Sequence, residues 1–290
     1  MMTNKNNYSY QDCWNYALSL RENIAVEKTK NDIIALCQTN PEHFWLNFSY
    51  KLLNFANYTE ICHNLDRYLK ENYSVPYLTK RTFFYGLIFY IKKGIFIPQK
   101  DTEILVERTL EYTEKYWKNK QKLKVLDIGT GCGNIVISLA KNKPSWRLMG
   151  IDSNKSALKV AKINAAAYQI KNVKFFTSDL FANVPKEEKF NIIVSNPPYI
   201  SAAEYKGLAI SVKKQPRKAL VAKDNGYYFY QEIFRQACFF STKKFLLVIE
   251  IGHQQVETII KLVINYFPRG KVSVFPDYSG NIRVMMVWQK

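Results

Sequence analysis

Between residues 124 and 252 the chain repeats one pattern: a short apolar run closed by glycine or a small polar residue, then a stretch with apolar residues at three- and four-residue steps. The runs are KVLDIG (124–129), RLMGID (147–152), VKFFTSD (173–179), FNIIVSN (190–196) and KFLLVIEIG (244–252). Apolar runs of this length suit strands covered on both faces, and the helix-patterned stretches 134–141, 156–168 and 227–240 suit the crossovers of a parallel sheet. Few architectures other than a doubly wound α/β sheet satisfy that alternation. The end differs. After a helix at 256–267, KVSVFPD and IRVMMVWQ are separated only by Tyr278, Ser279, Gly280 and Asn281. A link so short permits a hairpin but not a crossover, so the last strand of this seven-stranded sheet is expected to run antiparallel.

Upstream, residues 10–73 carry helical spacing without a β-rich interruption, including Trp14, Ala17, Ile33, Leu36, Leu65 and Leu69, with Pro41 starting a new helix. The texture changes in VPYLTKRTFFYGLIFYIKKGIFIP (75–98), where two aromatic and β-branched runs flank Gly86 and a third follows Gly94. A small β-hairpin is expected there. The predicted organisation is a helical domain at 1–74, a hairpin linker at 75–101 and the sheet domain at 102–290, which opens with a helix at 102–118. Length and composition agree: 290 residues, 47% hydrophobic and 23% charged, leave room for two folded domains and argue against disorder.

Residues 1–11 lack the apolar centre of a signal peptide, and the longest apolar stretch, 83–91, is about half the ~20 residues a membrane span requires. The expectation is a soluble, cytoplasmic protein. Five cysteines, Cys13, Cys37, Cys62, Cys132 and Cys238, form no C-x-x-C pair and no interleaved histidine spacing, which argues for reduced thiols rather than disulfides or zinc. A net charge of +18 would draw polyanions. The lysines, however, are scattered, with a concentration only at 115–124, and joint enrichment in Lys, Asn, Ile, Tyr and Phe is what AT-rich coding produces. Direct nucleic-acid binding is therefore not the favoured reading.

Three strand ends carry the chemistry. LDIGTGCGN sets Gly129, Thr130, Gly131, Cys132 and Gly133 between the first strand and the next helix, where glycine lets backbone approach a ligand and a helix start offers unpaired N–H groups. The spacing G-x-G-x-G misses the dinucleotide fingerprint G-x-G-x-x-G. Alone it reads equally as a tight turn. Asp152 closes the second strand, placed to accept both hydroxyls of a ribose, and Asp179 closes the third, placed to accept from an adenine amino group with Leu180 packing on the ring. Each acid alone reads as a strand end or helix cap; together with the glycine loop they outline a pocket for a nucleoside with a small charged tail. At the fourth strand end stands SNPPYI (195–200), where Pro197 and Pro198 end the ladder and stiffen the chain. Asn196 is thereby locked, with a row of unpaired carbonyls, at a strand's carboxyl end, where open α/β sheets put their chemistry. Cys132 lacks a neighbouring histidine and reads as a small packed side chain, His253 as a strand-end cap, His43 and His63 as structural, and Phe44, Trp45 and Phe48 as core.

Asn-Pro-Pro-Tyr after this glycine loop resembles the amino-group methyltransferases that use S-adenosylmethionine. The ordered segments FIPQKDTEILVE, VLDIGTGCGNIVISLA, IIVSNPPYIS, QPRKALVAKDNG, VIEIGHQQ and DYSGNIRV are similar, over nearly the whole chain, to the peptide chain release factor N(5)-glutamine methyltransferases, the HemK/PrmC family. The resemblance implies a class I, Rossmann-like methyltransferase domain behind a helical domain for the release factor, and methylation of the glutamine in a Gly-Gly-Gln motif. It implies that Gly129 to Gly133, Asp152, Asp179, Leu180 and Asn196 hold the cofactor, that Asn196, Pro197, Pro198 and Tyr199 hold the glutamine, and that Phe96, Pro98, Thr102 and Glu103 line the pocket entrance. Gln99 and Lys100 stand where the family carries Arg-Pro, and Gln215 where it carries Glu. The alternative from the same four residues is an amino methyltransferase of adenine or guanine in nucleic acid; a helical amino-terminal part without a base-stacking platform favours a protein partner.

Overall fold

The computed structural model describes residues 7–20, 27–50, 52–117 and 122–289. They fall into two compact units, Met1–Arg81 with Ala209–Lys214, and Thr82–Leu208 with Gln215–Lys290.

The smaller unit runs β1 (Asn7–Tyr8), α1 (Tyr10–Ser19), α2 (Glu27–Leu36), α3 (Pro41–Leu46), β2 (Leu53–Asn54), α4 (Phe55–Leu69) and α5 (Val75–Thr79). Side-chain caps decide where its helices begin. Ser9 and Asp12 form a reciprocal capping box on α1, and Asn40 and Asn54 accept the N–H groups of His43 and Asn57 at the starts of α3 and α4. Cys13, Ala17, Ile33, Leu36, Phe44 and Leu65 lie in its apolar centre. Two expectations change here. The helical stretch is interrupted, because β1 and β2 pair antiparallel with Tyr8 opposite Leu53. The Tyr8 ring stacks on Tyr58 at 3.9 Å, which draws residues 7 and 8 out along the start of α4. The stretch from Val75 is also helical before it is extended, since Pro76 sits in the first turn of α5, where its fixed φ and missing N–H suit a helix.

The hairpin is confined to β3 (Arg81–Phe84) and β4 (Leu87–Tyr90), turning on Tyr85 (φ 48) and Gly86 (φ 71), the two left-handed positions of a tight hairpin turn. The run after Gly94 forms no strand and leads into a 3-10 turn at Lys100–Thr102. Then follow α6 (Glu103–Tyr116), β5 (Lys124–Ile128), α7 (Asn134–Asn142), β6 (Arg147–Asp152), α8 (Lys155–Ala167), β7 (Val173–Thr177), β8 (Phe190–Ser195), α9 (Ala202–Gly207), α10 (Ile210–Lys213), α11 (Tyr228–Phe240), β9 (Ser241–Glu250), α12 (Val256–Tyr266), β10 (Lys271–Pro276) and β11 (Ile282–Gln289). Part of the lysine concentration at 115–124 lies outside the described residues.

The seven-stranded sheet has the order β10-β11-β9-β8-β5-β6-β7. β5 to β9 pair parallel, and β11 runs antiparallel to both its neighbours, as the short final link requires. From β5 the chain builds β6 and β7 to one side and β8 and β9 to the other. The crevice beyond the carboxyl ends of β5 and β8 is thus the topological switch point, where open α/β sheets bind ligands. Among the described residues no helix is long and apolar enough to cross a membrane.

Candidate active site

The glycine loop divides its labour. A Cβ on Gly129 would meet nothing within 4 Å, and on Gly131 only the Gly129 carbonyl at 3.9 Å, so this backbone is open on one face. Gly133 (φ +85) is different: a Cβ there would sit 2.8 Å from Ile137 Cδ1 and 3.1 Å from Ala161 Cβ, so its smallness lets α7 close on α8. Beneath the loop Thr130 donates to Asp127 Oδ2 at 2.6 Å, and burial pushes the Asp127 carboxyl up to about 7. Sequence reading passed over Asp127, although an acid inside an otherwise apolar run was the available signal.

At the end of β6 the Asp152 carboxylate is already oriented: Oδ2 accepts from the Gly131 N–H at 2.9 Å and Oδ1 from the Asn154 N–H at 2.7 Å. Burial raises its pKa against those two bonds. Each oxygen keeps a lone pair, which suits a vicinal diol. Beyond β7, Asp179 is exposed and Leu180 adopts φ +47, a left-handed conformation held by the Ser178 hydroxyl donating to the Leu180 carbonyl at 2.6 Å.

At the end of β8, Ser195 donates to the Ile128 carbonyl at 2.8 Å and ties this corner to the root of the glycine loop. The Asn196 Nδ2 donates to Thr102 Oγ1 at 3.0 Å, and Thr102 donates to Glu250 Oε2 at 2.5 Å. Tyr199 is held at both ends. Its carbonyl accepts from Gln255 Nε2 at 3.0 Å, while its hydroxyl donates to Glu250 Oε1 at 3.3 Å and accepts from Arg283 at 3.4 Å.

These pieces meet around one cavity of about 550 Å³, a size suited to a small organic ligand. Gly129 to Cys132, Asp152, Asp179, Leu180 and Asn196 to Pro198 line it, with Phe96 on the same wall. Phe229 and Ile233 of α11, which sequence reading did not single out, add apolar surface. Thr102, Glu103, Gly133 and Tyr199 are not part of that lining. The Glu103 carboxylate instead accepts the Tyr85 N–H at 2.8 Å and pins the hairpin turn; Thr102 is buried behind Asn196. The Tyr199 ring is anchored by its hydroxyl to Glu250 and Arg283 and packs against the core. Pro98 is buried too.

Asn164 in α8, also passed over, makes three bonds: its Oδ1 accepts the Tyr90 N–H at 2.8 Å, and its Nδ2 donates to the carbonyls of Tyr90 at 3.1 Å and Cys132 at 2.9 Å. It joins hairpin, helix and glycine loop through one amide, and its place in an alanine-rich helix gave no hint. Gln99 and Gln215, the departures from the family pattern, both grip Ile97: Gln215 accepts its N–H at 3.0 Å and Gln99 donates to its carbonyl at 2.7 Å. Cys132 is a buried thiol pushed up to about 12 by desolvation, which leaves it protonated and packed under the loop. His253 lies in a 3-10 turn in which Gln255 does the anchoring. Phe44 is buried but Trp45 is 41% exposed. Among the described residues no group of three or more His, Cys, Asp or Glu side chains could hold a metal ion.

An open glycine loop, an acid at the next strand end and an Asn-Pro-Pro corner around one crevice define a methyltransferase of the class I sheet, and the family model described as "Methyltransferase small domain" matches residues 97–226. Two curated relatives are release factor glutamine methyltransferases. The one from Fusobacterium nucleatum is 37% identical over 219 residues, covering 75% of this chain and 60% of the relative's length. The one from Buchnera aphidicola is 36% identical over 210 residues, covering 72% and 73%. The chain belongs to the release factor glutamine methyltransferase family. In fold it is similar to the hMettl16 catalytic domain solved with a MAT2A 3'UTR hairpin, with a TM-score of 0.56 at 15% identity, covering 89% of this chain and 91% of that one.

Proposed function

We propose that the chain transfers a methyl group from S-adenosylmethionine to the side-chain amide nitrogen of the glutamine in the Gly-Gly-Gln motif of peptide chain release factors. The observation that carries the reading is the convergence of Asn196, Pro197 and Pro198 with the glycine loop and Asp152 on one cavity.

The residues fit the cofactor. Gly129 and Gly131 leave open backbone where a side chain would intrude. Asp152 has two fixed acceptors for a ribose, and Asp179 and Leu180 line the part suited to the base. S-adenosylmethionine supplies an electrophilic methyl group. What the protein must do is present a nitrogen whose lone pair is delocalised into the amide. With Nδ2 committed to Thr102, the Asn196 atom left to accept is Oδ1. That oxygen and the Pro197 carbonyl take the two N–H bonds in the plane of the substrate amide, which sets the nitrogen π lobe perpendicular to it. Placement of this kind accounts for up to ~7–11 kcal/mol of a barrier in favourable cases. The helical unit serves as the docking part for the release factor, and a cytoplasmic site of action follows from that substrate.

The test is transfer of radiolabelled methyl from S-adenosylmethionine to purified release factors, beside total RNA and DNA. Label is expected in the Gly-Gly-Gln peptide. Label in nucleic acid and none in that peptide would overturn the assignment in favour of an adenine or guanine amino methyltransferase.

A further inference from the structure

Asn196 presents either an acceptor or two donors, depending on which way its amide is turned, and an amide nitrogen to be methylated needs the acceptor. The chain of bonds behind Asn196 decides the matter. Thr102 has one proton, and it goes to Glu250 Oε2 at 2.5 Å, so its oxygen is left to accept from Asn196 Nδ2 at 3.0 Å. The direction holds only while Oε2 of Glu250 is an acceptor. Its other oxygen, Oε1, takes the Tyr199 hydroxyl proton at 3.3 Å, and Arg283 Nη1, 3.4 Å from that hydroxyl and able only to donate, gives the Tyr199 proton no other acceptor, so turning it away from Oε1 would cost its hydrogen bond. A proton added to Glu250 is therefore favoured on Oε2, facing Thr102. Thr102 then turns its own proton toward Asn196, and the amide rotates so that Nδ2 meets the cavity.

We infer that Glu250, acting through Thr102, is the positioning residue that fixes the Asn196 amide with its oxygen toward the substrate, and that protonating Glu250 switches the site off. The inference rests on the amide-nitrogen reading proposed above for its effect on turnover, but not for the orientation itself. Thr102 faces the Glu250 carboxylate from the turn before α6, Tyr199 from the corner after β8, and Arg283 from β11, with Asp101 adding a negative charge nearby. The Tyr230 hydroxyl lies on Glu250's main-chain carbonyl and on Gln255. Burial is the dominant influence and pushes the Glu250 carboxyl up to about 7, opposed by Thr102, Arg283 and Tyr199, so the switch falls where a cell's pH can reach it. Glu250 does not line the cavity, and Thr102, which the resemblance puts at the pocket entrance, acts from behind it.

The experiment combines kinetics with the ¹⁵N–¹H signals of the Asn196 side-chain amide, assigned by their loss in Asn196→Asp. In the wild type and in Thr102→Ser, turnover should rise with pH through about 7 and the amide signals should shift with the same midpoint. In Glu250→Gln and in the isosteric Thr102→Val both titrations should vanish, and kcat at pH 8 should fall by about tenfold to a hundredfold with KM for the cofactor nearly unchanged. Thermal melts of all four proteins give the folded fraction, and Thr102→Val serves as an independent arm for Glu250→Gln. A Glu250→Gln or Thr102→Val enzyme with wild-type kcat, or amide signals that still titrate in Glu250→Gln, overturns the inference. Amide signals that titrate as expected in a wild type that leaves release factors unlabelled uphold it and remove only the substrate assignment.

Discussion

Replacing Asn164 by alanine should loosen the sheet unit at a point that no catalytic group touches. The substitution removes three hydrogen bonds at once: the acceptor for the Tyr90 N–H at 2.8 Å and the donors to the Tyr90 and Cys132 carbonyls at 3.1 and 2.9 Å. A typical intramolecular bond contributes ~0.5–1.5 kcal/mol, and a donor left orphaned costs ~1–3 kcal/mol, so the sum is about 2–4 kcal/mol after allowing water to reach the less buried carbonyl. In a unit of this size each kcal/mol moves the melting temperature by ~2–4 °C, which puts the expected drop at about 4–16 °C. Scanning calorimetry on the full chain measures it, with S-adenosylhomocysteine added to identify which transition belongs to the ligand-binding unit. Asn164→Asp should be worse than alanine, because it keeps the acceptor but sets a carboxylate against two carbonyl oxygens in a buried place. A transition within ~1 °C of wild type in Asn164→Ala, or a milder effect in the aspartate variant, would refute the account of this side chain as the rivet between hairpin and glycine loop.

Three shorter predictions follow. Asn196→Ala should retain cofactor affinity and lose turnover, whereas Asp152→Ala should weaken the cofactor by about tenfold to a hundredfold, the worth of ~1.5–3 kcal/mol for bonds to a charged group; titration calorimetry separates the two, and an active Asn196→Ala enzyme contradicts the role given to that amide. Gly226→Ala places a Cβ 2.3 Å from the Tyr199 carbonyl and 2.6 Å from Gln255 Nε2, so kcat should collapse while S-adenosylhomocysteine still binds; unaltered turnover would show that this corner is free to move. Asp127 has a folded-state pKa raised to about 7 by burial, so its contribution to stability is present below the unfolded value of ~4 and is lost as pH rises through about 7. Asn in its place should flatten that decline in denaturant melts at pH 4 to 8, and an unchanged slope would place the titration elsewhere.

Strand content and the antiparallel ending were legible in the sequence because each buried run is short, apolar and punctuated, as at KVLDIG and FNIIVS, and because Tyr278 to Asn281 leaves no length for a crossover. Local patterning failed where two or three residues decide. Nothing about Asn7 and Tyr8 announces a strand; they become one because Tyr8 finds the Tyr58 ring. Val75–Thr79 looks extended by composition yet Pro76 in its first turn makes it helical. The glycine loop, Asp152 and the Asn-Pro-Pro corner, which the structure brings to one cavity, could be picked out because they are unusual residues at strand ends. Asn164 and Glu250 could not, since each is a single polar residue whose partners lie 74 and 148 residues away in the chain.

The antiparallel strand has a consequence for the site. A strand delivers its first residue to opposite edges of a sheet depending on its direction. Had the strand beside β9 been parallel to it, its opening residues would lie at the edge remote from the crevice. Because β11 runs the other way, its start comes level with the end of β9, with Val284 opposite Glu250, and Arg283 arrives beside Tyr199. Arg283 is itself clamped by Asp277 at 3.1 Å, across the hairpin turn that makes the reversal possible. Reversal, turn and clamp thus bring a fixed donor against the Tyr199 hydroxyl, which commits that hydroxyl's proton to Glu250. Which oxygen of Glu250 is left to take up a proton, Oε2 facing Thr102, therefore depends on a choice of strand polarity made at the far end of the sequence.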